Sequence, residues 1–364
     1  MRFSSTVDNH DALAATLISR SILSYAIHEL WGSGTDYSTL HQDVRQRTTH
    51  LWRRHEHESF RFEIDSFHGS RSLTAQRDII ESFAYTNFKG RIALRNPDSH
   101  FIVFEEYDLN GATPNKLYFG RQIAESGRKA VQRYSLKKRK YIATTSMDAE
   151  LSLVTANLAL AGPGKIAYDP FVGTGSFPLA CAHFGAAVMG SDLDGRSIRG
   201  VNPGRNVRSN FVQCGTSALY LGSFVSDLTH PPLRAGVNER WLDAIVCDPP
   251  YGIREGLKVL GSTKAALQEE VLLDSGQPAH LSDTYLPPKK PYSFTRMLDD
   301  VLDFGAQRLV DDGRLCIWMP VAGASDESEG AIAQYQEPAE YAIPRHPQLE
   351  LVSECVQQFN KCKF

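Results

Sequence analysis

A chain of 364 residues is longer than one average domain and suits two, each able to bury a sizeable core. Hydrophobic residues make up 42%, beside 27 Gly and 18 Pro, which is the balance of a globular protein; no apolar run is long enough to span a bilayer. The net charge of −3 conceals an asymmetry: 21 Lys and Arg face 16 Asp and Glu up to residue 145, and 18 face 26 beyond it, so a polyanion should meet the first part.

The chain starts with Arg2, Ser4, Ser5, Asp8 and Asn9 where a secretory signal needs apolar residues, which predicts a cytosolic or nuclear address, taken as cytoplasmic. Asp8 or Asn9 can cap a helix running to about residue 30, with Leu13, Leu17, Ile22 and Ile27 among its apolar positions and Trp31-Gly32-Ser33-Gly34 as its stop. Residues 60–64 alternate apolar with charged, and 101–104 form a short apolar run; both suit strands, with a helix over 76–83 between them. A strand at 117–120 ends this small α+β module. Five cations and two tyrosines then crowd into residues 133–141. Cations release counterions from a phosphate backbone and rings stack on bases, which makes Arg133, Lys137, Lys138, Arg139 and Lys140 candidate RNA contacts.

Thr144 or Thr145 opens a helix through about residue 160, on a stripe of Met147, Leu151, Val154 and Leu158. Beyond it short apolar strands alternate with helices, the pattern of a doubly wound parallel sheet. The strands are expected at 165–168, 187–190, 210–213, 242–247 and 314–319, with a helix between the last two carried by Phe294, Met297, Leu298, Val301 and Leu302. Segments 257–293 and 322–347 are too long for ordinary loops. The six cysteines (Cys181, Cys214, Cys247, Cys316, Cys355 and Cys362) include no Cys-x-x-Cys pair, so no metal site is expected.

Asp169-Pro170-Phe171-Val172-Gly173-Thr174-Gly175-Ser176 falls between the first of those strands and a helix. Glycines there let the backbone approach a ligand, and the helix N-terminus turns free N–H groups toward it. A carboxylate just before the turn suits a cationic amine, such as the amino-acid end of S-adenosylmethionine, and the absence of Lys after Gly175 excludes a phosphate-binding Walker motif. Asp169, Phe171, Gly173, Thr174, Gly175 and Ser176 are therefore assigned to that cofactor. Asp192, ending the second strand, is placed to accept both ribose hydroxyls. Asp227 could accept from the adenine amino group.

Asp248-Pro249-Pro250-Tyr251 directly follows the hydrophobic fourth strand. A ring-attached amine is a poor nucleophile because its lone pair is delocalised, so it must be desolvated, aligned and polarised. The Asp248 carboxylate and the Pro249 carbonyl can each accept one of its N–H groups. Pro249 and Pro250 fix the backbone, and Tyr251 offers a ring to the base. The motif suits adenine N6, cytosine N4 and guanine N2 alike.

With these residues in view, the chain resembles the catalytic subunit of eukaryotic tRNA guanine-N2 methyltransferases that modify guanosine 10. The likeness is carried by Glu29-Leu30-Trp31-Gly32, Tyr118-Phe119-Gly120-Arg121, Leu136-Lys137-Lys138-Arg139, Thr144-Thr145-Ser146, the glycine turn, Gly190 to Arg196, the run from Asp248 to Glu255, and Lys289-Lys290-Pro291-Tyr292-Ser293. The resemblance implies a THUMP-like RNA-binding domain over 1–132 with a remnant of a ferredoxin-like module, a basic linker over 133–146, and a Rossmann-like class I methyltransferase domain over 147–364. It also implies tRNA as substrate and a small zinc-binding activator subunit as partner. Family members carry strands ahead of the first helix and one more strand after the equivalent of Phe359-Asn360. Against that pattern this chain is expected to be truncated, with a sheet lacking its last strand and 349–359 left unpaired. The rival expectations are a DNA adenine-N6 methyltransferase and a non-catalytic tRNA-binding protein.

Overall fold

The structure is a computed structural model that describes residues 9–233, 239–251, 257–264, 271–282, 287–320, 343–359 and 362–363. The chain divides into two units, Met1–Lys129 and Ala130–Phe364.

In the first unit the Asn9 side chain accepts the Ala12 N–H and caps α1 (His10–Ile18). The helix expected to reach residue 30 is thus much shorter, and the following segment is a strand, β1 (Ala26–Gly34). The glycines that read as a helix stop serve close packing instead. A Cβ on Gly32 would lie 2.4 Å from Val44 Cγ2, and one on Gly34 would lie 2.5 Å from the Leu40 nitrogen. Both neighbours belong to α2 (Tyr37–His55), a helix the pattern reading passes over. Its start is fixed reciprocally: Asp36 accepts the Thr39 N–H, and the Thr39 hydroxyl accepts the Asp36 N–H.

The remaining expected elements of this unit are present as β2 (Phe60–Phe67), α3 (Leu73–Ser82), β3 (Ser99–Tyr107) and β4 (Pro114–Glu125). They form a four-stranded sheet in the order β1-β4-β3-β2, with β2 and β3 parallel and the other pairs antiparallel. One face supplies Trp31, Phe101, Val103, Leu117 and Phe119 to a core completed by Leu40, Val44 and Phe83. Trp31 is wholly buried, with the rings of Phe101 and Phe119 edge-on at 5.0 and 6.0 Å.

The second unit begins in α4 (Lys129–Arg133). It continues through α5 (Ala149–Leu158), β5 (Ile166–Asp169), α6 (Ser176–His183), β6 (Ala187–Asp192), α7 (Gly195–Arg199), α8 (Val207–Cys214), β7 (Tyr220–Val225), β8 (Leu242–Cys247), β9 (Lys258–Leu260), β10 (Lys289–Pro291), α9 (Phe294–Arg308) and β11 (Leu309–Ile317), with a short pair β12 (Gln358–Phe359) and β13 (Cys362–Lys363). Five parallel strands lie in the order β11-β8-β5-β6-β7. The chain lays β6 and β7 to one side of β5, then returns to lay β8 and β11 on the other. The direction of winding therefore switches between β5 and β8, where such sheets open a crevice at the carboxyl ends of their strands.

Three expectations need correction here. Residues 210–213 are helical, because Asn206 and Ser209 form a reciprocal cap and Gly215, at φ 70°, ends the helix; the third strand is β7. No continuous strand runs over 349–359: Leu349 bridges to His346, residues 351–357 are exposed and irregular, and Gln358 and Phe359 pair with Lys363 and Cys362. Residues 133–146 are not a free linker, since the second unit includes them and they bond to its helices, as shown below. The predicted loop over 257–293 contains the β9–β10 hairpin, while 322–342 lie outside the described residues.

Trp31→Ala should cost the first unit about 3–5 kcal/mol, the usual penalty for emptying a fully packed aromatic site. Native-state hydrogen exchange at the Val103 and Phe119 amides reads that loss directly; a change below about 1 kcal/mol would mean that the aromatic core does not hold the sheet.

Candidate active site

The parallel sheet brings three sequence-distant carboxylates to neighbouring strand ends. Asp169 is the last residue of β5, Asp192 the last of β6, and Asp248 the first beyond β8. Asp169 is 2% exposed and accepts the Phe171 N–H at 2.9 Å. Burial drives its carboxyl well above the usual carboxylate range, only partly offset by that N–H, and the charges of Asp192 and Asp248 push it further. Asp192 is raised mainly by burial, against the N–H groups of Asp194 and Gly173 at 2.8 and 2.9 Å, which lower it. Burial alone lifts Asp248 to about 7.

The glycine turn stands over these groups. Gly173 and Gly175 adopt φ of 47° and 84°, a region open to glycine at little cost. Gly175 caps α6 without a side-chain bond, and a Cβ there would meet Val207 Cγ1 at 3.0 Å. Beneath the turn, a Cβ on Gly190 would lie 2.6 Å from Val172 Cγ2, so the turn rests directly on β6. Asp192 ties the same turn down through Gly173.

Several groups that hold the turn were not legible in the sequence. Asn210, 1% exposed, donates to the carbonyls of Tyr141 and Thr174 at 2.8 and 3.1 Å and accepts the Tyr141 N–H at 3.1 Å. Ser146 Oγ and Thr174 Oγ1 are 2.7 Å apart, and Arg139 Nη1 donates to Ser176 Oγ at 2.7 Å. Asn210 carries no motif, and it sits in a stretch that reads as a strand. Thr144-Thr145-Ser146 is marked only by the resemblance.

These bonds change the reading of the basic segment. Arg139 is 8% exposed and points beneath the turn, so it is not presented to a phosphate backbone. Tyr134 and Tyr141 are buried as well, with the Tyr141 hydroxyl on the Ser197 carbonyl, and neither ring is free to stack on a base. Lys137, Lys138 and Lys140 are exposed, as is Arg133, whose Nη2 also donates to the Cys214 carbonyl.

In the Asp248-Pro249-Pro250-Tyr251 motif Pro249 is buried and Pro250 exposed. The Tyr251 hydroxyl donates to Asp248 Oδ1, and its ring meets Phe294 edge-on at 6.2 Å. The sequence reading gives Tyr251 a stacking role; the structure adds a bond to the carboxylate beside it. Cys247, next to Asp248, is wholly buried and its thiol is held neutral by burial, which leaves it no part as a nucleophile. A recess at the strand ends is lined by Phe171, Leu193, Asp227, Pro250, Leu257 and Met297 among others. Asp227 reaches it, but both its oxygens are engaged: Oδ1 by the Thr229 N–H and hydroxyl at 2.8 Å, Oδ2 by the Leu260 N–H at 2.6 Å. Lys289 and Tyr292 are likewise held, on the Leu193 carbonyl and on Asp300.

Among the described residues no His, Cys, Asp and Glu cluster could hold a metal ion, and no helix is long and apolar enough to cross a membrane. Two protein families match the chain: the Tmrp11 THUMP N-terminal domain over residues 4–128 and the RMKL-like methyltransferase domain over 137–266. The chain is 42% identical over 362 residues to a tRNA (guanine(10)-N(2))-methyltransferase of Saccharomyces cerevisiae, covering 97% of this chain and 80% of that one. Its likeness to the Schizosaccharomyces pombe protein of the same name is 38% over 358 residues, covering 98% and 71%, and to human TRMT11, also so named, 35% over 370 residues, covering 96% and 74%.

Asn210→Ala should destabilise the second unit by about 2–4 kcal/mol, because it strands one N–H and two carbonyls. Asn210→Asp should be worse, since a carboxylate cannot donate to either carbonyl. Thermal melting ranks the two variants; an aspartate variant as stable as wild type would disprove the double tether.

Proposed function

We propose a reaction for this chain, which belongs to the tRNA (guanine(10)-N(2))-methyltransferase family. It transfers one methyl group from S-adenosylmethionine to the exocyclic N2 of guanosine 10 in tRNA, by direct in-line displacement. The observation that carries this reading is the placement of Asp248 and Pro249 at the switch point of the sheet, beside two further carboxylates and under a glycine turn.

The donor set fits the cofactor's charge. Asp169, Asp192 and Asp248 are all raised by burial, and among the described residues no lysine or arginine is among the groups that act on them. Carboxylates in that state favour a ligand that brings positive charge, as an ammonium and a sulfonium do. Asp169 would hold the amino-acid end, Gly173 to Ser176 would line the cofactor, and Asp192 would accept the ribose hydroxyls with lone pairs its two N–H partners leave free. Bound there, S-adenosylmethionine supplies an electrophilic methyl group.

The chain's own residues prepare the amine. Asp248 accepts one N–H and the Pro249 carbonyl accepts the other, which turns the nitrogen lone pair away from both. The Tyr251 hydroxyl satisfies Asp248 until the amine arrives, and its ring then bounds the base. After transfer the nitrogen sheds a proton, for which the Asp248 carboxylate, with a pKa lifted to about 7, is well matched near neutral pH.

Lys137, Lys138, Lys140 and Arg133 are the exposed cations through which the second unit would meet the RNA backbone, beside the THUMP-like first unit. The zinc-binding activator belongs to this proposal too. β7 is the edge of the described sheet, and Leu221 and Val225 on it are 58% and 52% exposed, a surface suited to a protein partner. A cytoplasmic site of action fits the substrate.

The test is methyl transfer to bulk tRNA by the chain co-expressed with that partner, with the product mapped by mass spectrometry. N2-methylguanosine at position 10 is expected; methylation of duplex DNA but not tRNA would overturn the reading. Asp248→Ala should lower turnover by about 10³-fold or more while leaving cofactor affinity within roughly two-fold. Because the working form of Asp248 is the carboxylate, kcat/KM should rise about tenfold per pH unit below 7 and level off above it. A flat profile from pH 5.5 to 8.5 would remove Asp248 from the proton path.

A further inference from the structure

Beyond residue 145 acidic residues outnumber basic ones, 26 to 18, yet one stretch there has the opposite character. Residues 195–226 hold four arginines, Arg196, Arg199, Arg205 and Arg208, and no Asp or Glu. All four are exposed. Arg196 is paired with Asp194 at 2.7 Å, whereas Arg199, Arg205 and Arg208 have no carboxylate partner among the described residues. Each of the three is nonetheless held in place. A Cβ on Gly195 would lie 2.6 Å from Arg199 Nη1, so the missing side chain lets that guanidinium lie back along the start of α7. Arg208 stands over the Tyr220 ring, 5.4 Å from its centroid. Arg205 closes a tight turn between α7 and α8, donating its N–H to the Asn202 carbonyl and accepting the Val201 N–H, both at 2.9 Å.

This surface borders both the cofactor turn and the basic segment. Val207, between Arg205 and Arg208, would meet a Cβ on Gly175 at 3.0 Å, and Asn210 one turn of α8 later donates to the Thr174 carbonyl. On the other side the Gln213 side chain accepts the Lys140 N–H at 2.9 Å and donates to the Lys138 carbonyl at 2.6 Å, while the Tyr141 hydroxyl donates to the Ser197 carbonyl at 2.8 Å. The exposed Lys138 and Lys140 are therefore bound to the two helices that carry the arginines.

We propose that Arg199, Arg205 and Arg208 form a phosphate-binding rim that continues the cations of the basic segment and grips the tRNA backbone next to the target nucleotide. This rests on the tRNA methyltransferase reading above. Guanidinium groups with no internal carboxylate keep their planar donor fork free for phosphate oxygens, and three of them close together repel one another until a polyanion arrives. An acidic protein face would satisfy the same charges. RNA is favoured because the rim runs from the basic segment to the turn beside which the methyl group must be delivered.

The experiment measures binding of bulk tRNA to the full chain across a salt series, with S-adenosylhomocysteine affinity taken by calorimetry on the same preparations. Replacing Arg199, Arg205 and Arg208 together by Gln should weaken tRNA about ten-fold or more at about 0.1 M salt, and make the dependence of log affinity on log salt shallower by about two to three. Cofactor-product affinity should stay within roughly two-fold, which shows that the variant is folded. Arg240→Gln removes one charge just ahead of β8, at the opposite end of the strands, and should leave tRNA affinity within roughly two-fold, whereas Arg205→Gln alone should exceed that loss. Equal tRNA affinity and slope in wild type and triple variant overturns the rim. So does a triple variant that keeps tRNA but no longer retains the co-expressed activator, which makes the face a protein interface. Wild type that forms no N2-methylguanosine in tRNA overturns the methyltransferase reading itself, a result distinct from both.

Discussion

Asp169, Asp192 and Asp248 are drawn out of water at the ends of three adjacent parallel strands, and burial is the largest force on each. Left alone, such groups repel one another and favour their neutral forms. The arrangement persists because backbone N–H groups are turned onto two of them: Phe171 onto Asp169, Gly173 and Asp194 onto Asp192. The shape of the glycine turn follows from that requirement. A chain that must aim the N–H groups of residues 171 and 173 at carboxylates on two different strands has to bend through the φ values Gly173 and Gly175 adopt. Gly190 completes the constraint by letting Val172 descend onto β6.

The turn is held from the other side by the segment that precedes the methyltransferase sheet. Residues 133–146 run over α6 and α8, and the bonds from Asn210, Ser146 and Arg139 converge on Thr174 and Ser176. Arg139 is costly in this role. It is buried, burial lowers its pKa against a smaller opposing pull from Asp148, and its Nε finds no acceptor among the described residues. Its position beneath the first turn of α6 means that disturbance of the basic segment reaches the cofactor turn within two bonds. In the proposed reaction, RNA contact at Lys137 or Lys138, which lie just before Arg139 in sequence, would have a short physical route to the glycine turn.

How much of this was legible in the sequence depended on whether a residue's job is local. The glycine turn, Asp192 and Asp248-Pro249-Pro250-Tyr251 were found because each follows an apolar strand, and strand ends in a parallel sheet are where ligands bind. β8 was legible to the residue, since five of its six positions are apolar or small and Asp248-Pro249 follows directly. Residues 210–213 misled because Phe211 and Val212 favour strands, while the cap that makes them helical lies upstream at Asn206. Trp31-Gly32-Ser33-Gly34 misled for a related reason: glycine breaks a helix, but here it admits α2 against β1, a contact no local pattern announces. The charge run at 133–141 was visible as composition, yet which of its cations face water is decided by packing against α6 and α8.

The fourth residue of the Asp248-Pro249-Pro250-Tyr251 motif bears directly on the first, through the Tyr251 hydroxyl on the Asp248 carboxylate. Asp248 is mostly buried with no cation among the described residues acting on it, so an unpartnered carboxylate there would be strongly driven to take up a proton. A protonated Asp248 is a poor acceptor for an amine. The Tyr251 hydroxyl lies three residues away on a backbone stiffened by two prolines, and it supplies a donor that can be displaced without moving the chain. In the proposed reaction the incoming amine would exchange one donor for another at that oxygen, and the prolines would keep the second acceptor, the Pro249 carbonyl, from drifting. If the proposed reaction holds, the nearby hydroxyl matters as the carboxylate does, because its bond favours the charged form that the reaction would require.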